Sequence, residues 1–287
     1  MADSKELLPA IKAVPMDEPA PKVLLMGQPG SGKTLSIATL LELGLEVFVI
    51  FTEQGRESLL EGVEHYGLEA NRSKLHWTTI KAGSPGFGNL AKTAKELNTK
   101  DQGSLQGAKG VGQKHYDQMV KLINACGDFT DQHGENFGDA SEWGNDRVLV
   151  IDGLSGINVM AMDLVVGAKP VKTQADWGIA MDAQMRFIQQ CVNGLTCGFV
   201  LVSHLEINKD EVEGKMYRYP RLLGNKNTYD FGKYFSDVIL AEDKGDKYIW
   251  STQEKNMQLK SRNLKKGANH EPSFVPLYTK WAERYGE

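Results

Sequence analysis

KVLLMGQPGSGKT, residues 22–34, decides the fold of this chain. It begins with a short apolar run closed by a turn signal, which suits a buried parallel strand. It ends with Gly27, Gln28, Pro29, Gly30, Ser31, Gly32, Lys33 and Thr34, which match the phosphate-loop pattern G-x-x-x-x-G-K-[ST] at every specified position. Glycines let such a loop curl until successive backbone N–H groups point at phosphate oxygens. The helix that follows turns the positive end of its dipole toward the same anion. TLSIATLLEL, residues 34–43, has the helical pattern this requires, and Gly44 stands where a helix ends in a left-handed residue. The stretch implies bound ATP, with Lys33 on the β- and γ-phosphates and the Thr34 hydroxyl on Mg²⁺.

Outward from the loop, strand-like and helix-like segments alternate. EVFVIFTE (46–53), KLHWTTI (74–80), RVLVID (147–152) and GFVLVSH (198–204) are rich in β-branched or aromatic residues. Between them ESLLEGVEHYG, HYDQMVKLINACGDF and ADWGIAMDAQMRFIQQCVNGL show helical spacing. This alternation predicts an α/β fold with a mainly parallel central sheet flanked by helices. SDVILAED, KYIWSTQ and NMQLKSR predict antiparallel strands toward the C-terminus. Residues 1–20 read as a flexible arm and 21–266 as one core, with 82–114 a long loop or insertion. Residues 267–287 read as a tail without a clear period.

The chain has 287 residues, 41% hydrophobic and 24% charged, with a formal net charge of −4. That is the balance of an ordinary globular protein. Mild acidity excludes a coat of positive charge but leaves room for a local basic groove. No apolar run reaches about 18 residues, so no membrane span is expected. The first residues lack a secretory h-region, and the expected location is the cytoplasm. Cys126, Cys191 and Cys197 lack Cys-x-x-Cys spacing and read as reduced thiols.

Two acids end strands. Asp152 closes RVLVID, at the edge where open α/β sheets hold their ligands, and is the expected Mg²⁺ carboxylate. Gly153, Leu154 and Ser155 follow it, so no adjacent acid is present to activate water. Glu53, closing EVFVIFTE, is the candidate base, on condition that its strand neighbours the P-loop strand. An ordinary surface acid is the alternative.

In this order the pieces resemble the RecA-like recombinases. Their look is nearest to the compact phage ATPases of the Sak type, which anneal and recombine single strands. The likeness runs over about residues 20–265, by order and motif. It implies that Glu53 is the catalytic glutamate and that His204 senses the γ-phosphate, where bacterial RecA has a glutamine. It also implies that Lys260 and Arg262 reach the nucleotide of a neighbouring subunit. Two positions apart on a strand, those cations share one face. The implied activity is DNA-stimulated ATP hydrolysis, with ATP at the interface of a head-to-tail ring or filament. The implied partner is single-stranded DNA, with a single-strand binding protein as a candidate companion.

In that family a DNA-binding loop follows the sensing strand. Here KMYRYPRLLGNK, residues 215–226, interleaves Lys215, Arg218, Arg221 and Lys226 with Tyr217 and Tyr219. Cations can track phosphates while rings stack on bases. A solvated loop with packed tyrosines is the alternative. A smaller basic loop, GAKPVKTQ (167–174), offers Lys169 and Lys172. Two other functions fit the same motifs: a hexameric helicase or packaging-type motor, and a nucleotide-gated DNA-binding module without turnover.

Overall fold

The computed structural model describes residues 10–83, 86–99, 116–167, 172–209, 215–224 and 230–286. Strand β1 (Lys22–Gly27) is buried throughout. Val23 and Leu25 face one side of the sheet, and Leu24 and Met26 face the other. Such a strand needs cover on both faces. Helix α1 (Lys33–Ile37) continues as a 3₁₀ turn over Ala38–Leu43 and stops at Gly44. Then come β2 (Glu46–Phe51), α2 (Arg56–His65), β3 (Leu75–Thr79), α3 (Gly86–Thr99) and α4 (Gln118–Gly127). A small ribbon, β4 (Phe129–Thr130) with β5 (Asn136–Gly138), leads to β6 (Arg147–Asp152), α5 (Leu154–Val166) and α6 (Gln174–Asn193). The chain continues through β7 (Gly198–Ser203), β8 (Leu205–Lys209), β9 (Met216–Pro220), β10 (Asp237–Asp243), β11 (Tyr248–Ser251) and α7 (Val275–Tyr285).

The central sheet has the order β11-β10-β1-β7-β6-β2-β3. Every neighbouring pair is parallel except β10–β11, an antiparallel hairpin at the edge. The expected α/β architecture is therefore present, including its antiparallel C-terminal extension. Residues of α1, α2 and α7 cover one face, and residues of α4, α5 and α6 cover the other. No helix among the described residues is long and apolar enough to cross a membrane. All three cysteines are free.

Four expectations change. First, the condition set for Glu53 is not met: β2 does not lie beside β1, because β7 and β6 stand between them. Second, 267–287 holds α7 rather than a loose tail. Phe274, Leu277, Tyr278 and Trp281 are buried in the core, at the i, i+3, i+4, i+7 spacing of a helix face. Third, the described part of the arm is docked: Ile11 and Val14 join that cluster, and Trp281 Nε1 donates to Pro19 O at 3.1 Å. Fourth, NMQLKSR forms no strand; it makes only isolated bridges, at Met257 and Lys260. Buried Asp237 explains the last difference. Its carboxylate accepts from the backbone N–H groups of Arg262 and Asn263 and from the Ser261 and Asn263 side chains, which curls the chain there. Within 82–114, residues 86–99 are helical (α3); 100–114 lie outside the described residues.

Lys22 opens β1 with its ammonium buried and donating to the Cys197 carbonyl. Burial brings its pKa down from 10.5 to about 8. A folded value below the unfolded one means that the unfolded chain binds the proton more tightly, so this group's contribution rises with pH between the two values. The stability gap between wild type and Lys22→Met should therefore move toward wild type by about 3 kcal/mol from pH 8 to 10.5. Paired urea unfolding at the two ends of that window measures it. A gap that stays constant would show that Lys22 keeps its ordinary proton affinity.

Candidate active site

At the C-terminal edge of the sheet a cleft of about 370 Å³ opens. Its floor is the P-loop, and Lys33, Thr34, Glu53, Asp152 and His204 all line it. Lys33 is 6% exposed. Its ammonium donates to Gly27 O at 3.0 Å, Gln28 O at 2.7 Å and Ser31 Oγ at 3.3 Å. These acceptors are neutral, and burial lowers the Lys33 pKa to about 8 against the pull of Asp152 and Glu53. An anion is the natural partner for such a cation.

Thr34 Oγ1 donates to Asp152 Oδ2 at 2.8 Å. Burial, resisted by that hydrogen bond and by Lys33, raises the Asp152 carboxyl to about 6. A hydroxyl and a carboxylate held side by side below a phosphate loop are hard oxygen donors, and they fit Mg²⁺.

Glu53 reaches the cleft although its strand is not next to β1. The parallel register of β2 on β6 sets Phe51 opposite Asp152. Thr52 N donates to Asp152 O at 3.0 Å, and Thr52 Oγ1 donates to the Asp152 and Gly153 carbonyls. Gly153 has φ 120°, and a Cβ there would press on Thr52 and the Glu53 side chain. The chain after Asp152 can thus turn away only because that residue is glycine. His204, one step past β7, contacts Glu53 through Nε2···Oε2 at 3.2 Å. This hydrogen bond, foremost, holds the Glu53 carboxyl below its usual range, against the effect of burial. Glu53 is therefore ionised at neutral pH.

The basic loop residues are placed less uniformly. β8 and β9 form an antiparallel ribbon that springs directly from His204. Lys215, Arg218 and Arg221 are exposed and Tyr217 is half-buried. Tyr219 is only 4% exposed, and its ring stacks on that of Tyr217 with centroids 6.2 Å apart. Strand alternation sets both tyrosines on one face and Arg218 on the other. The expected base-stacking role of Tyr219 is thus corrected: its ring packs on the protein body. Lys226 and Lys169 lie outside the described residues. Lys172 Nζ stands 5.8 Å from the centre of the Trp177 ring.

Lys260 and Arg262 do not line the cleft of their own chain. Lys260 Nζ donates to Lys233 O at 3.2 Å, and the Arg262 carbonyl accepts from Arg284 at 2.9 Å. Burial, and after it the Arg262 charge, lowers the Lys260 pKa. Sequence reasoning missed Tyr248. It opens β11 and borders the cleft, and its ring lies against Gly32, where a Cβ would stand 2.7 Å from its Cγ.

No family model and no curated protein matches this sequence. Among solved structures the chain is similar to the crystal structure of the RadB recombinase. The two share 13% identity over 88% of this chain and 92% of that chain, with a TM-score of 0.40.

Proposed function

We propose that this protein is an ATPase that works on single-stranded DNA and promotes homologous recombination or strand annealing. The observation that carries the reading is the convergence of Lys33, Thr34, Asp152, Glu53 and His204, from separate parts of the chain, on one cleft. Lys33 exchanges its loop carbonyls for β- and γ-phosphate oxygens. Thr34 and Asp152 would hold Mg²⁺, which when bound offsets phosphate charge. Glu53, already ionised, accepts a proton from the water that attacks the γ-phosphorus. The bond from that phosphorus to the β–γ bridging oxygen breaks, leaving ADP and phosphate. His204 orients the carboxylate through its 3.2 Å contact.

DNA binding is assigned to the ribbon that His204 roots. Lys215, Arg218 and Arg221 meet phosphates, and Tyr217 offers a ring to a base; Lys226 follows in sequence. Lys260 and Arg262, lying off their own cleft, serve the nucleotide of the next subunit in a ring or filament. The Sak-type phage likeness and a single-strand binding protein as companion belong to this reading on motif order.

The test is the rate of ATP hydrolysis with and without a single-stranded oligonucleotide, together with oligonucleotide affinity against salt. DNA should raise the rate. Changing Lys215, Arg218 and Arg221 together to Ala should weaken binding about tenfold or more and flatten the log–log salt slope by about 3. Unchanged affinity and slope would remove the ribbon from the DNA site.

A further inference from the structure

The strand order gives the two flanks of the phosphate loop different residues. His204, Asp152 and Glu53 follow β7, β6 and β2, all on one flank of β1. On the other flank stand β10 and β11. A triphosphate whose terminal phosphate meets the acids runs along the loop away from them. A course along the edge of the sheet carries its sugar and base toward the β10–β11 flank. On that flank an aromatic side chain borders the cleft. Tyr248 pairs with Asp243 beside the hairpin turn at Gly245. Its ring packs on the backbone of Gly32, which has φ 75°, while the residue also lines the cleft. A ring braced by the phosphate loop loses little freedom when a second flat group stacks on it, so stacking there costs little ordering entropy.

We propose that Tyr248 is the nucleobase platform of this site: its ring stacks on the base of the bound nucleoside triphosphate and fixes how far the phosphates enter the loop. This inference rests on the nucleotide reading above. Stacking recognises any π-face, and the larger ring system of a purine covers more of the tyrosine than a pyrimidine does. Tyr248 therefore favours purine over pyrimidine triphosphates.

The experiment is calorimetric titration of the full chain, in Mg²⁺, with ATP, with CTP and with inorganic tripolyphosphate. Tyr248→Ala should bind ATP about tenfold or more weakly than wild type. Its affinity for tripolyphosphate should equal that of wild type, and its preference for ATP over CTP should shrink. Tyr248→Phe should match wild type with all three ligands. Equal losses for ATP and tripolyphosphate in Tyr248→Ala would overturn the proposal, since the ring would then be a support for the loop. Undiminished ATP affinity in Tyr248→Ala would overturn it as well. A wild-type chain that binds neither ATP nor tripolyphosphate would refute the nucleotide reading itself.

Discussion

ATP turnover falls by about 100-fold or more in Glu53→Gln, the range that a positioned general base contributes, while ATP binding persists. The side chain keeps its shape, and its amide can still meet His204. What it loses is the capacity to take a proton from water. The His204 hydrogen bond holds the wild-type carboxyl ionised, so in the proposed role it would be ready at neutral pH without help from DNA. Single-turnover hydrolysis and equilibrium binding of ATP, measured side by side, separate the two effects. A Glu53→Gln chain that turns over at the wild-type rate would move the base elsewhere in the cleft.

Lys33→Ala produces the second large loss, this time in binding. Truncating one partner of a buried, hydrogen-bonded charge pair costs about 2–5 kcal/mol, so ATP affinity should fall by about 30-fold or more. The apo protein should not become less stable. Burial disfavours the Lys33 charge more than Asp152 and Glu53 favour it, as its lowered pKa of about 8 records, so removing the ammonium relieves a desolvation cost. Thermal unfolding without nucleotide checks this and separates loss of binding from loss of fold. The same variant tests assembly. Chains with Lys260 and Arg262 both changed to Ala keep an intact cleft but cannot serve a neighbour. Mixed with Lys33→Ala chains, which keep those cations, they should regain ATPase activity that neither has alone. A mixture as inactive as its components would confine Lys260 and Arg262 to a structural role.

Much of this was legible in the sequence because the chemistry dictates it. A phosphate loop needs its glycines and lysine in fixed spacing, and a parallel sheet presents strand-end side chains at its ligand edge. Asp152 and Glu53 could therefore be placed at the cleft from their strand-end positions. Their route to the cleft was less visible. Strand neighbours depend on crossovers that local patterns do not encode, so β2 beside β1 stood only as a condition for Glu53, and β7 and β6 in fact separate the two. Helix α5 escaped notice because LSGINVMAMDLVV is apolar almost all round, and a helix buried on most sides shows no amphipathic period. Helix α7 had a readable period that its polar, glycine-containing approach obscured. The strand expected over NMQLKSR failed for another reason. Alternating residues make a strand only where a partner edge is open, and the hydrogen bonds of Asp237 hold the segment in a turn. Tyr248 gave no local signal, since only the folded hairpin brings it to Gly32.

The docking of α7 has a consequence for the chain's connectivity. Trp281 is tied to the Pro19 carbonyl, and a Cβ built on Gly286 would stand 3.3 Å from the Ala10 carbonyl. The two ends of the described chain therefore touch. A short linker could join them and new termini could be cut at the exposed Gly245 turn, with every strand keeping its neighbours in the sheet. The phosphate loop would then be read after β11 and α7 in such a rearranged gene, yet it would fold into the same cleft. The site belongs to the arrangement of the sheet, and the order in which its strands are synthesised is incidental to it.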